Sequence, residues 1–163
     1  FSVLLRGSDD DTLDSYERAV KRGVSTVANL YEDPRVLPGG GACMMEVAKA
    51  VERARLKERG EIQLAFEAYA KALEGLVTII VNNSGLNKLR EIAKLRTRHH
   101  GKTGFAFGVD GRSKAIVDVR KVGLYDPLRV FDYWIKTATD LASTVLRVDD
   151  IMMATKPSEK KTE

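Results

Sequence analysis

The sequence predicts a mainly α-helical fold with a small β-hairpin and a short terminal strand. Apolar residues recur every three or four positions over most of the chain, and only the segment around residues 105–119 alternates with the period of a strand. With 163 residues, a domain buries about 70% of the surface that its unfolded chain exposes. We therefore expect a hydrophobic core.

The composition excludes several classes of protein. Hydrophobic residues make up 44% of the chain and charged residues 31%, with 4 prolines, which is typical of a folded protein rather than a disordered one. The single cysteine, Cys43, excludes an internal disulfide and favours a cytoplasmic location. We expect no membrane span, because no stretch of about 18 apolar residues occurs, and no signal peptide. A net charge of +4 does not by itself indicate nucleic-acid binding.

The N-terminal part of the chain predicts a strand and a long helix. Residues 2–5 are apolar and predict a strand, and because residue 1 is Phe rather than Met we expect a piece of a larger protein. The aspartates at 9–11 favour a helix N-terminus. An apolar stripe then predicts a helix over residues 10–32, ended by Asp33 and Pro34. The stripe consists of Leu13, Tyr16, Val20, Val24, Val27 and Tyr31.

Three further helices are predicted in the middle of the chain. The second helix follows three consecutive glycines and ends at Gly60, the third begins near Glu61, and the fourth runs over residues 86–99 after a C-cap cluster at 82–85. The residues predicted to face inward are Met44, Val47, Ala48 and Val51 in the second helix, Ile62, Ala65, Phe66, Tyr69, Leu73, Leu76, Val77 and Ile80 in the third, and Leu89, Ile92 and Ala93 in the fourth.

The C-terminal part predicts a hairpin, a last helix and a strand. Apolar residues from Phe105 to Val109 and from Ala115 to Val119 flank turn residues 110–113. Asp126 and Pro127 combine an N-cap with proline at the first helical position, and the helix continues to about residue 145. A short strand is predicted over residues 148–153, and the polar residues 155–163 predict a disordered tail.

Two segments are candidates for ligand binding, and each has a structural alternative. Gly39, Gly40 and Gly41 at a helix entrance let backbone N–H groups approach an anion closely. Taken alone, they favour a tight turn between packed helices. Asp126 is suited to hydrogen-bond ribose hydroxyls, although the local pattern favours an N-cap, and one carboxylate can do both.

Other polar groups favour structural roles. Adjacent histidines His99 and His100 point apart on a helix and have no carboxylate at ligand spacing, which favours a solvated helix end over a metal site. The basic run over residues 90–102 contains Glu91 and no aromatic residue, which favours a solvated face over phosphate binding. Cys43 has no base nearby in the sequence. No nucleophile–base pair can be assembled from spacing.

Taken in order, these motifs resemble the C-terminal portion of a group II chaperonin subunit, the family of the archaeal thermosome and its eukaryotic cytosolic relative. The resemblance runs along nearly the whole chain, and it implies that residues 1–36 belong to the intermediate domain and residues 37–154 to the C-terminal half of the helical equatorial ATP-binding domain. It is carried by Leu4-Leu5-Arg6-Gly7, Glu17-Arg18-Ala19, Pro38-Gly39-Gly40-Gly41-Ala42, Asn83-Ser84-Gly85-Leu86, Gly108-Val109-Asp110, Asp126-Pro127-Leu128-Arg129-Val130 and Leu146-Arg147-Val148-Asp149-Asp150-Ile151.

The resemblance also implies a nucleotide site for ATP or ADP. The family commonly has Glu where this chain has Asp126, so the carboxylate is kept with a shorter reach. The implied residues are Gly39, Gly40 and Gly41 against the nucleotide, Gly108 and Val109 near the base, and Asp126 at the ribose.

Arg22 is the main departure from the family pattern, which places the catalytic aspartate at this position. A guanidinium cannot accept a proton from water, so the resemblance predicts slow or absent hydrolysis and no catalytic residue here. The family's Gly-Asp-Gly-Thr-Thr loop, which binds phosphate and Mg²⁺, is absent from the sequence, so no metal ligand is expected. ATPase activity is therefore expected only in a complete subunit and ring.

The partners implied by the resemblance are other chaperonin subunits, in a homo- or hetero-oligomeric double ring, and unfolded client proteins in the complete subunit. A stand-alone helical interaction module without ATPase activity is the alternative, favoured by Arg22 and by the half of the family's ATP site that is missing from this sequence. A basic nucleic-acid binder ranks last, because it depends on a small net charge and on one basic run.

Overall fold

The structure, a computed structural model, describes residues 2–101 and 103–149. Its first element is the predicted long helix, α1, over Asp10–Glu32, capped by the Asp9 carboxylate, which accepts a hydrogen bond from the Thr12 N–H at 2.6 Å. The predicted strand over residues 2–5 does not form. Val3 and Leu4 are largely exposed, and neither described sheet includes this segment.

Three packed helices carry the core, namely α2 over Ala42–Arg55, α3 over Ile62–Asn83 and α4 over Lys88–His100. Helix α2 ends at Arg55 rather than near Gly60, because Leu56 is 73% exposed and only charged residues follow it, so a further turn would bury nothing. The buried cluster consists of Met45, Val77, Val81, Ile92, Leu95 and Val109.

The inward face of α4 differs from the prediction. Leu89 is 82% exposed and Ala93 is also exposed, whereas Ile92, Leu95 and His99 face the core. These three residues share one face through spacings of three and four. The prediction is confirmed for Ile92 and wrong for Leu89 and Ala93, and it missed His99 because a histidine was not counted as a core residue.

The predicted hairpin is confirmed as strands β2 over Phe107–Asp110 and β3 over Ala115–Asp118, which pair antiparallel. Asp110 shapes the turn, because its carboxylate accepts hydrogen bonds from the Arg112 and Ser113 N–H groups at 2.9 and 3.2 Å. Phe105 lies outside the strand, in a 3₁₀ turn over Gly104–Ala106.

A second, smaller sheet was not predicted. Strand β1 over Val36–Pro38 pairs antiparallel with β4 over Tyr125–Pro127, and a short helix α5 over Val119–Val122 leads from β3 towards β4. Three-residue strands are too short to show a period in the sequence. The predicted domain boundary between residues 36 and 37 falls within β1.

The last helix, α6, spans Leu128–Leu146 and begins after Pro127. Asp126 therefore does not cap it but lies in β4, opposite Leu37. Val148 and Asp149 are not in a strand, and the rest of the predicted terminal strand, with the predicted disordered tail at 155–163, lies outside the described residues. Among the helices of the described part, none is both long and apolar enough to cross a membrane.

Candidate functional site

The three consecutive glycines form a tight turn between β1 and α2. Gly40 and Gly41 have φ values of +60° and +81°, a left-handed conformation that glycine adopts without steric cost. A Cβ on Gly40 would lie 2.6 Å from the Val109 carbonyl oxygen. The turn therefore requires glycine for both its conformation and its contacts.

Strand β2 packs directly on this glycine turn. The Val109 N–H donates a hydrogen bond to the Gly40 carbonyl oxygen at 2.8 Å. A Cβ on Gly108 would lie 2.8 Å from the Gly39 carbonyl oxygen. The two glycine segments predicted to contact a nucleotide are therefore in backbone contact, although about 70 residues separate them.

Asp126 lies at the same place. Its Oδ2 is 3.2 Å from the position that a Cβ on Gly39 would take, and the Gly39 N–H donates to the Leu124 carbonyl oxygen at 3.1 Å, which holds β4 beside the turn. Asp126 as a whole residue is exposed, but partial burial of its carboxyl raises the carboxyl pKa. Within residues 2–101 and 103–149, no residue donates a hydrogen bond to this carboxylate, so its oxygens are available to a ligand.

The start of α2 has no side-chain cap. Its N-cap is Gly41, and no side chain accepts the N–H groups of the first turn. Leu124, which the sequence did not single out, covers the turn, because its side chain lies 3.1–3.2 Å from the Cβ positions of Gly39 and Gly40. The arrangement of backbone donors next to a carboxylate suits a ligand that carries both anionic and hydroxyl groups.

Cys43, in the first turn of α2, is not a nucleophile. Burial, together with the nearby Asp126 and Glu46 carboxylates, raises the pKa of its thiol to about 11. The thiol is thus protonated at neutral pH. This agrees with the structural role predicted for Cys43.

No described contact joins Arg22 to this cluster. Arg22 is exposed on α1, and its carbonyl oxygen accepts a hydrogen bond from Thr26 Oγ1 at 2.9 Å. Glu32, ten residues later, forms an ion pair with Arg129 near the start of α6. Ten residues of helix span about 15 Å. The structure therefore brings together Gly39, Gly40, Gly41, Gly108, Val109 and Asp126, but not Arg22.

His99 is buried, which the sequence prediction missed. Its exposed fraction is 2%, its Nδ1 lies 2.8 Å from Glu46 Oε1 and its Nε2 lies 2.8 Å from the Phe107 carbonyl oxygen. The prediction of a solvated helix end is wrong for His99, while His100 is exposed. The described residues contain no group of three or more His, Cys, Asp or Glu side chains placed to hold a metal ion.

The basic run on α4 is partly neutralised. Lys94 Nζ lies 2.7 Å from Glu91 Oε1, and Arg96 forms two hydrogen bonds with Glu74, of 3.0 and 2.5 Å. A cavity of about 670 Å³ lies between α4 and β3 and another of about 390 Å³ lies among α2, α3 and α4. Neither is lined by a residue predicted to bind nucleotide.

Comparison with known proteins gives one family. The family model described as the TCP-1/cpn60 chaperonin family matches residues 1–156. The thermosome subunit beta of Sulfurisphaera tokodaii is 38% identical over 160 residues, which are 98% of this chain and 29% of that protein. The T-complex protein 1 subunit gamma of Dictyostelium discoideum is 35% identical over 155 residues, which are 94% of this chain and 29% of that protein.

A solved structure shows the same fold. The open-state monomer of a group II chaperonin from Methanococcoides burtonii superposes with a TM-score of 0.73 at 27% identity. The match covers 89% of this chain and 36% of that one. The chain thus spans less than a third of the length of the two relatives above.

Proposed function

Because the chain belongs to the TCP-1/cpn60 chaperonin family, we propose that it is the C-terminal portion of a group II chaperonin subunit, which works in a double ring and assists protein folding with ATP. In this proposal residues 1–36 form part of the intermediate domain and residues 37–154 half of the equatorial ATP-binding domain. The partners are other chaperonin subunits and unfolded client proteins, and the location is the cytoplasm.

One observation carries the nucleotide part of the proposal. Three segments that are far apart in sequence meet at one place, namely the glycine turn, the start of β2 and Asp126 in β4. The uncapped N-terminus of α2 would face the phosphates, and the Asp126 carboxylate would accept hydrogen bonds from ribose hydroxyls. ATP or ADP would enter with Mg²⁺ in the complete subunit, since the family's metal-binding loop is not in this sequence.

Hydrolysis is proposed to be impaired at this site, because Arg22 stands where the family has its catalytic aspartate. In the assembled ring, Arg22→Asp would restore a group that orients the attacking water, and such groups contribute about 100-fold or more. The rate of ATP hydrolysis is the measurement. Arg18→Asp, one turn earlier on the same exposed helix, is the matched control and should change little. An unchanged rate in Arg22→Asp would contradict the proposal.

The alternative is a helical interaction module that keeps the fold without the ATP cycle, and Arg22 favours it. Light scattering after size exclusion, with and without ATP and Mg²⁺, separates the two functions. A megadalton-scale particle supports the ring subunit. A monomer or small oligomer, at multiples of 18.1 kDa, supports the interaction module.

A further inference from the structure

The hydrogen bonds of the buried His99 determine how many protons its ring carries. Nε2 lies 2.8 Å from the Phe107 carbonyl oxygen, which can only accept, so Nε2 must donate. Nδ1 lies 2.8 Å from Glu46 Oε1. A neutral imidazole has one N–H and can satisfy only one of these two oxygens unless the carboxyl itself is protonated.

Glu46 is ionised rather than protonated. Although burial raises the pKa of its carboxyl, the hydrogen bonds from His99 and Lys49 lower it by more, and the pKa lies below its ordinary value. Lys49 Nζ is 3.2 Å from both carboxylate oxygens and also donates to the His99 carbonyl oxygen. The carboxylate therefore accepts hydrogen bonds and cannot supply the missing proton to Nδ1.

The other charged groups around His99 are largely paired with one another. Glu67 pairs with Lys71 and Glu74 with Arg96, while Arg98 lies over the Phe107 ring at 4.9 Å. Glu46 is thus the carboxylate that faces the imidazole. The charged and titratable groups that line the adjoining cavity with His99 are Lys49, Glu52 and Arg53 from α2, Glu67, Lys71 and Glu74 from α3, and Arg96 and His100 from α4.

The imidazole joins the two elements that form the glycine-turn contact. Glu46 lies on α2, five residues after Gly41, and Phe107 directly precedes Gly108 in β2. The ring therefore connects the helix that begins at the turn with the strand that packs on it. Through these two hydrogen bonds, His99 holds together the two elements between which the Val109 N–H bonds to the Gly40 carbonyl oxygen.

We propose that His99 is a positioning residue of the candidate nucleotide site, held as an imidazolium that donates to Glu46 and to Phe107 and thereby keeps β2 against the glycine turn. As a statement about nucleotide binding this rests on the proposed function, but the charge state and the clamp do not. The proton on Nδ1 makes the bond to Glu46, so an imidazole without that proton would hold β2 against the turn less firmly.

Nitrogen-15 NMR of the histidine rings in the full chain tests the charge state. Because both ring nitrogens face oxygens that accept hydrogen bonds, His99 is expected to show two protonated ring nitrogens at about pH 7. The exposed His100 provides the internal control for assigning the ring signals. One bare nitrogen on His99 at this pH would overturn the proposal.

Amide hydrogen exchange of Val109 tests the clamp. In His99→Gln the exchange should be about tenfold faster than in the original chain, because one anchor of β2 is lost, and in His100→Gln it should be unchanged. Equal rates in the two variants would refute the clamp. Should His99→Gln fail to fold, Glu46→Ala gives the same test, because it removes the side chain that meets Nδ1, and faster Val109 exchange is again expected. Neither measurement uses nucleotide, so absence of ATP binding would count against the proposed function and not against the clamp.

Discussion

Apart from the short α5, the helices of the described chain fall into two groups that look alike in sequence and differ in the structure. Helices α2, α3 and α4 bury core residues against one another and against β2. Helix α1 has no buried residue, and Phe131 is the buried residue of α6. All five carry apolar stripes at helical spacing. The period of a stripe thus predicts that a helix forms, but not that the same chain supplies its partner.

Helices α1 and α6 leave large apolar side chains exposed. In α1, Tyr31 is 92% exposed and Val24 and Val27 about two thirds, and in α6 Tyr133 is 71% and Leu146 84% exposed. Relatives more than three times as long as this match contain it, and we expect the remainder of a complete subunit to cover these faces. In the isolated chain the same faces should promote self-association.

Replacement of a glycine by alanine should show the largest difference in unfolding free energy between the packed helices and α1. A Cβ on Gly104 would lie 1.7 Å from the Arg98 carbonyl oxygen at the end of α4, so Gly104→Ala must displace backbone and should cost about 3 kcal/mol of unfolding free energy. Gly23, inside α1, has nothing within 4 Å of its Cβ position. Gly23→Ala should instead stabilise by about 0.5–1 kcal/mol. Urea unfolding followed by circular dichroism measures both, and a similar loss in the two variants would contradict the contrast.

Replacing one leucine by alanine in α4 and one in α6 tests the same difference in packing between the two groups of helices. Leu95 in α4 is fully buried, whereas Leu141 in α6 is 65% exposed. Leu95→Ala leaves a cavity and should lower the unfolding free energy by about 2–3 kcal/mol. Leu141→Ala should change it by less than about 0.5 kcal/mol and should reduce self-association. If Leu141→Ala costs as much as Leu95→Ala in a monomeric sample, α6 is packed more tightly than the structure shows.

Periodicity and turn residues predicted most of the fold. The bounds of α1 and α3, the hairpin around residues 110–113 and the last helix follow from local patterns. The pairing of β1 with β4 did not, because two three-residue segments carry too little pattern and almost 90 residues separate them. His99 was misplaced because its burial depends on two distant partners, Glu46 and Phe107, that no local spacing reveals.

The candidate site was predicted through the family resemblance rather than through spacing. Local patterns favoured a tight turn for the three glycines and a helix cap for Asp126. The structure supports the tight turn, since Gly40 and Gly108 are in close backbone contact with partners, and it excludes the cap, since α6 begins after Pro127. Because the Asp126 carboxylate does not cap α6, its oxygens can accept hydrogen bonds from a ligand.

Asp126 gives the smallest expected effect on stability and the most specific test of the candidate site, because its carboxyl lies beside the glycine turn. Burial raises its pKa above the ordinary value of 3.8, so the folded chain binds this proton more tightly than the unfolded chain does. Stability from this group is then greatest at low pH and falls as the pH rises from 3.8 through the raised folded pKa.

Asp126→Asn removes this pH dependence. Relative to the original chain, the variant should gain roughly a few tenths of a kcal/mol at about pH 7, given solvent screening of an exposed carboxylate, and gain nothing at about pH 3. Asp132→Asn is the control, because Asp132 pairs with Lys136 at 2.7 Å on the exposed face of α6 and should show no gain at either pH. The measurement is the urea midpoint of unfolding for each variant and for the original chain at both pH values. A gain that is equal at both would mean that Asp126 is as well solvated as Asp132, and that the glycine turn does not desolvate the carboxylate proposed to meet a ribose.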